Sequence, residues 1–281
     1  MSLKIYALPT GTCFTKVSMV LGYWDQMPDE DKEKRNIKFW GKGDRGYNKN
    51  MKLYDGVYPG IALCTYVYYI EGTKYKILVD TGYDSDENVN KALRRHLVPD
   101  QIFYRKPSED VVKQLATINI HPDDIDIVIL SHCHFDHYHN VGLFKNAKFI
   151  CNATELDWAL CPPHYGSWYY EEYKHYLEDV LHRIELVRGD EWIMDGIQVW
   201  ELGGHSPAQM AIVIDTNIGR VGLGSDLVLT YENIELKWPG GTVFDLPDMM
   251  AGYNRLLCET DIVVPGHDYQ VLERFPKGII G

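Results

Sequence analysis

The stretch DIVILSHCHFDHYHN (126–140) constrains this chain more than any other segment. DIVIL reads as a buried strand. Directly after it, four histidines and one aspartate fall within ten positions, although histidine makes up only 11 of 281 residues. In an extended loop, residues two apart point the same way, so His132 and His134 can meet one ion while Cys133 faces elsewhere and packs. Asp136 and His137 come one short turn later and are free to meet a second ion. Imidazole and carboxylate donors suit zinc, iron or manganese at neutral pH. Two ions roughly 3.5–4 Å apart call for about seven protein ligands and a bridging water or hydroxide, and this cluster supplies four of them.

Three later segments supply what is lacking. LGGHSPAQ places His205 where a strand runs out into a glycine-containing loop, GLGSDLV does the same for Asp226, and VVPGHDY for His267. Asp226 suits a bridging position, because one carboxylate offers two oxygens. Around these segments, strand and helix patterns alternate. IALCTYVYYI and YKILVD read as strands paired across EGTK, and KFICN, IQVWELGG, QMAIVID, RVGLGSD and DIVVPGHD as further strands. SEDVVKQLATI reads as a helix capped by Ser108, TELDWAL as a short helix capped by Thr154, and LPDMMAGYNRLLCET as a third. Residues 162–182 read as helical after an irregular start, and 41–60 as a long exposed loop. Strands alternating with helices in both halves indicate the α/β class.

Composition narrows the partners. The 28 basic and 40 acidic side chains give a net charge of −12, which works against binding nucleic acid or other polyanions. No apolar run approaches the roughly 18–20 residues that span a bilayer. The opening MSLKIYALPTGTCF lacks the apolar core of a secretory signal, so a cytoplasmic location is expected and no membrane partner. Six scattered cysteines without a CxxC pair suggest reduced thiols, neither a disulfide framework nor a zinc ribbon.

HCHFDH followed in order by His205, Asp226 and His267 resembles the HxHxDH pattern of the metallo-β-lactamase superfamily of metal-dependent hydrolases, and LVDTGY (78–83) is similar to that family's early strand and turn. The resemblance covers nearly the whole chain. It implies that residues 1–281 form one domain with a four-layer αβ/βα sandwich, two mixed sheets face to face with helices outside. It further implies that His132, His134 and His205 hold one metal, that Asp136, His137 and His267 hold the second, with Asp226 between them, and that Asp80 lies buried behind the site. Within the superfamily, KIYALPTGTC, the long loop before the first hairpin, HFDH and DLVLTYENI resemble the N-acyl homoserine lactonase group, which favours a homodimer.

Two positions depart from that group. Where it commonly has GHSxGH, this chain has GHSPAQ, with Ala208 and Gln209 last. Where it often carries a tyrosine three residues past the bridging aspartate, this chain has Leu229, with Tyr231 two residues further on as the candidate replacement.

The expected activity is opening of a lactone, an N-acyl homoserine lactone or a similar small one, by a hydroxide held between two divalent ions, zinc first and iron or manganese next. Asp136, Asp226 and Tyr231 are the expected catalytic side chains. The alternatives are another small ester, a thioester or a cyclic amide on the same site, or, from another class, a non-catalytic metal-binding or diiron redox protein. His139 is expected in a solvated loop, and His164, among the aromatics of CPPHYGSWYY, is a candidate for a substrate pocket.

Overall fold

Period-two alternation splits the side chains of each long strand between two cores. In the strand Gly60–Glu71, Leu63, Val67 and Tyr69 enter one cluster, while Cys64, Tyr66, Tyr68 and Ile70 enter another. The computed structural model in which this is seen describes residues 2–22, 60–96, 101–163, 170 and 173–281. The loop expected over 41–60, Gly60 apart, and His164 therefore lie outside the described residues.

The strands are β1 (Lys4–Lys16), β2 (Gly60–Glu71), β3 (Ile77–Val79), β4 (Ile102–Tyr104), β5 (Ile127–Ile129), β6 (Lys148–Asn152), β7 (Ile184–Val187), β8 (Glu191–Met194), β9 (Ile197–Glu201), β10 (Met210–Thr216), β11 (Gly219–Leu223), β12 (Ile262–Val264) and β13 (Ile279–Ile280). One sheet runs β13-β1-β2-β3-β5-β6-β7, with β4 also on β1, and the other runs β12-β11-β10-β9-β8. The second cluster lies between them. Ile5, Ile70, Ile77, Ile129 and Ile150 from the first sheet meet Ile197, Val199, Ile212, Ile214, Val221 and Val264 from the second.

Helices cover the two outer faces. Val89 and Leu93 of the helix Asp86–Arg95 and Leu115 of Val111–Ala116 pack on the first sheet. Met249, Tyr253 and Leu256 of Leu246–Glu259 pack on Trp200, Ala211 and Val213 of the second. The expected four-layer α/β sandwich is thus the observed one. Among the described residues no helix is long and apolar enough to cross a membrane.

Some local readings are corrected. The helix expected from Ser108 is a 3-10 turn, Pro107–Glu109, and then a helix Val111–Ala116 capped by Asp110, whose carboxylate accepts from Val112 N at 3.0 Å. The helix Ala153–Leu160 is capped by Asn152 and not Thr154, with Asn152 Oδ1 accepting from Thr154 N at 2.7 Å. In both cases a side chain able to reach a free N–H two residues ahead wins the cap. His139 is buried rather than solvated. The short helix Phe135–Tyr138 turns it inward against the rings of Phe135 and Tyr173, with Nδ1 3.4 Å from Asp84 Oδ1.

The topology gathers the ends of several strands at one edge. β3 and β5 are parallel, β11 and β12 are parallel, and β9 runs with β11 because both are antiparallel to β10. The loops that follow these strands carry Asp80, His132–His137, His205, Asp226 and His267. Those after β11 and β12 touch: a Cβ on Gly266 would stand 2.5 Å from the Ser225 carbonyl oxygen. Replacing Gly266 by Ala should therefore cost about 1–3 kcal/mol, whereas Gly142→Ala, with nothing within 4 Å of its added carbon, should be near neutral. Urea unfolding of both variants checks this, and equal midpoints would contradict the close approach.

Candidate metal centre

Four of the five histidines are oriented by what the far nitrogen donates to. Asp80 is reached first in the chain. It stands at φ +60°, a left-handed conformation that aspartate tolerates better than most residues. Its carboxylate accepts from Ser131 N at 2.7 Å, from Ser131 Oγ at 2.8 Å and from His137 Nδ1 at 2.8 Å. With its own proton given to Asp80, Ser131 Oγ accepts from His132 Nδ1 at 3.1 Å and from Ser225 Oγ at 2.9 Å. His205 Nδ1 donates to the Thr242 carbonyl at 3.1 Å, and His267 Nδ1 to the Cys64 carbonyl at 2.9 Å. These four rings thus donate from Nδ1 and turn Nε2 toward a common centre.

At that centre the inward atoms crowd together. His205 Nε2 and His134 Nδ1 are 2.9 Å apart. Asp226 Oδ1 lies 2.9 Å from His267 Nε2 and 3.2 Å from His137 Nε2, and its Oδ2 lies 3.4 Å from His205 Nε2. Asp136 Oδ1 is 3.7 Å from His137 Nε2. Three sets of donor atoms come within 4.8 Å of one another: His132, His134 and His205; His132, His137 and Asp226; and Asp136, His137 and His267. All seven residues singled out in the sequence as ligands are therefore brought together.

This donor set fits divalent cations. With Nδ1 engaged outward, the centre is lined by imidazole nitrogens and carboxylate oxygens. His132 Nε2 is buried with no hydrogen-bond partner, and His137 Nε2 meets Asp226 without hydrogen-bond geometry. Such orphaned buried acceptors are costly unless a cation answers them. Imidazole nitrogens with carboxylate oxygens are the ligands that zinc, iron and manganese share.

The same crowding divides the histidines in the metal-free protein. Burial, with neighbouring imidazoles adding to it, holds His132 and His134 well below the ordinary histidine value, and burial lowers His205. His137 goes the other way: burial is outweighed by Asp136, Asp226 and Asp80, which raise it well above the usual range. His267 is likewise raised against burial by Asp226. Asp226 is held well below the carboxylate range, because His267, His137 and His205 overcome its burial.

A cavity opens on this centre. Asp136, His134, His205, Asp226 and His267 form its ionisable part, and Met19, Leu63, Phe103, Phe135 and Leu229 give it apolar walls. Leu229, the departure noted in the sequence, stands in that wall. Tyr231 is not brought into the group. It packs in the core between the sheets, its buried hydroxyl lacks a hydrogen-bond partner, and the Arg274 guanidinium lies 3.6 Å from its ring centre. Gln209, the other departure, is fully buried and donates from Nε2 to the Gly224 carbonyl at 3.1 Å, tying the His205 loop to the Asp226 loop. Cys133 faces away, with its Sγ 3.6 Å from that of Cys151, and both are free thiols.

Three contributors are not marked by the spacing of ligand-type residues: Ser131, Ser225 and Glu155. Ser131 directly precedes the histidine motif and could have been noticed there. The other two become visible only when distant loops meet.

Comparison with known proteins agrees with this geometry. The sequence profile described as the metallo-beta-lactamase superfamily matches residues 62–267. N-acyl homoserine lactonase AiiA of Bacillus thuringiensis subsp. kurstaki is 32% identical over 223 residues, which span 75% of this chain and 85% of that protein. A solved N-acyl homoserine lactone hydrolase with the product N-hexanoyl-L-homoserine at its catalytic metal centre superposes with a TM-score of 0.72 at 25% identity, covering 98% of this chain and 99% of that one. AidC, a dizinc quorum-quenching lactonase, shares the fold with a TM-score of 0.67 at 15% identity, covering 99% and 89%. On this profile, these relatives and this arrangement of strand ends, the chain belongs to the metallo-beta-lactamase superfamily.

Proposed function

We propose that this protein is a dinuclear-metal hydrolase that opens a lactone, an N-acyl homoserine lactone or a similar small one. The observation that carries the reading is the convergence of five histidines and two aspartates, of which His134, His205, His267 and both aspartates line one apolar-walled cavity, in a chain 32% identical over 223 residues to an N-acyl homoserine lactonase. His132, His134 and His205 would hold one ion, Asp136, His137 and His267 the other, with Asp226 between them. Zinc is the first metal to test, since the nitrogen-rich set suits it. When bound, the ions would polarise the ester carbonyl and lower the pKa of water toward neutrality.

The chain's own groups do the rest. Asp136 is the carboxylate with freedom to act on protons. Its side chain is partly exposed at the cavity, and His137 Nε2 lies 3.7 Å from its Oδ1. It can accept a proton from the attacking water at Oδ and return it to the ring oxygen as that oxygen leaves. Asp226 fixes the mutual placement of His137, His205 and His267 through its two oxygens. Phe103, Phe135, Met19 and Leu229 exclude water from the bond being cleaved and strengthen every electrostatic contact beside it.

Three outcomes are expected. Replacing Asp136 by Asn should lower lactone turnover about 10²–10⁴-fold and weaken the ion it would share with His137 and His267, whereas Asp226→Asn, between the two sets, should weaken both ions. Acid release from a panel of acyl homoserine lactones, together with metal analysis, measures each, and a fully active Asp136→Asn protein would refute the proton role. Because His137 and His267 hold protons above the usual range when metal-free, an ion must displace them. Its apparent affinity should then fall as pH drops, by roughly tenfold per pH unit for each displaced proton. Titrations with chelator at several pH values check the slope; a flat profile would exclude these two residues as ligands. Finally, Tyr231→Phe should leave turnover within about twofold and be neutral to stabilising, since it removes a buried hydroxyl that bonds to nothing. A large fall in kcat would restore Tyr231 to the reaction.

A further inference from the structure

Glu155 is fully buried, yet it belongs neither to the cavity lining nor to the seven proposed ligands. It occupies the third position of the helix Ala153–Leu160, where a glutamate commonly folds back onto the N-cap amide. Here it reaches outward instead. Oε2 accepts from Cys133 N at 3.2 Å, between His132 and His134. Oε1 accepts from Ser206 Oγ at 2.5 Å and from Ala208 N at 2.7 Å, just after His205. One rigid carboxylate thus joins the two loops that carry the three-histidine set. Burying a carboxylate costs several kcal/mol after relaxation, so hydrogen bonds to both loops are what make its burial tolerable.

We infer that Glu155 is a positioning residue that fixes the loop of His132 and His134 against the loop of His205, and through them sets how tightly the three-histidine half of the site holds its ion. The inference rests on the metal reading proposed above. The chemistry of the three donors makes it specific. Two of them are backbone N–H groups, Cys133 and Ala208, that can only donate. A glutamine has one acceptor oxygen, so either orientation of its amide sets an NH₂ against one of these N–H groups and releases one loop. The His205 Nε2 to His134 Nδ1 separation of 2.9 Å is the distance such a release would disturb. His137 and His267 of the other set have anchors of their own, Asp80 and the Cys64 carbonyl, so the second ion should feel the release less.

The test uses the full chain loaded with zinc and equilibrated against a graded chelator series, with ions per chain measured at each step and the melting temperature of the metal-free proteins measured separately. Wild type should retain two ions. Glu155→Gln should lose one of them at roughly 10- to 100-fold weaker chelation, while the other leaves as in wild type. Cobalt substitution should show the change in one absorption envelope only. Ser206→Ala keeps both backbone bonds and should shift the same ion by about fivefold, which keeps the idea testable should the glutamine variant fail to fold. A Glu155→Gln protein that melts earlier but holds both ions as wild type does would show a merely structural role and overturn the proposal. Equal weakening of both ions would overturn it too. A wild-type protein that binds no zinc would instead remove the metal reading, and this inference with it.

Discussion

Asp226 presents its two oxygens to different histidines, with Oδ1 toward His267 and His137 and Oδ2 toward His205. That contact is the one on which the arrangement depends, because it crosses between the sheets. His137 comes from the loop after β5 of the first sheet, and Asp226, His205 and His267 from loops of the second. A buried carboxylate surrounded by lone pairs would be untenable unless the imidazoles were turned and protonated in a fixed way. Every other polar contact around the centre serves that requirement. Asp80 and Ser131 fix His137 and His132 from the first sheet, while the Thr242 and Cys64 carbonyls fix His205 and His267.

The hydrophobic core supplies the rigidity this needs. Each strand that delivers a site residue ends where the core between the sheets ends, so the loops leave from well-packed positions such as Ile129, Leu223 and Val264. Backbone hydrogen bonds then stitch the loops to one another. Met210 N donates to the Ser131 carbonyl at 2.8 Å across the sheets, and Cys64 N to the His267 carbonyl at 2.9 Å. The site belongs to neither sheet alone. Packing of the two faces sets the distance between the motif loop and the later ligands, and a shift of one sheet over the other would misplace every donor together.

Much of this was legible in the order of residues, and the reason is chemical. HCHFDH, GHS, GSD and PGHD each put a ligand-type side chain directly after an apolar strand, and a strand end is the one place where such a residue can be both positioned and reached. Less was legible where tertiary contact overrides local pattern. KIYALPTGTCFTK carries Pro9 and Gly11, which argue against a strand, yet it forms β1, the longest in the first sheet. A register shift between Pro9 and Gly11 absorbs both residues. A side chain on Gly11 would run into the Tyr83 ring, so the glycine is required by packing that the sequence does not display. Tyr231 misled for the opposite reason. Its spacing from Asp226 suggested the site, but it begins the helix Tyr231–Leu236, and its ring falls into the core. Its backbone N donates to Asp268 Oδ2 at 2.8 Å, so it supports the loop after β12 without facing the cavity.

The two departures from the lactonase pattern have different physical consequences. Gln209 changes a residue inside the scaffold: its amide donates to Gly224 and its backbone carbonyl accepts from Leu202 N and Gly203 N, so it keeps the His205 loop in place with a neutral group. Leu229 changes the cavity itself, where an apolar side chain stands in the wall beside Asp226 and His267. Without a hydroxyl at that position, the polar atoms of a bound substrate have to be met by the ionisable floor or by the remaining wall groups. Discrimination between substrates then falls on the shape of an apolar wall, which separates analogues by only about 1–3 kcal/mol per methylene. The departure therefore changes the wall of the cavity, while the seven residues of the centre are all in place.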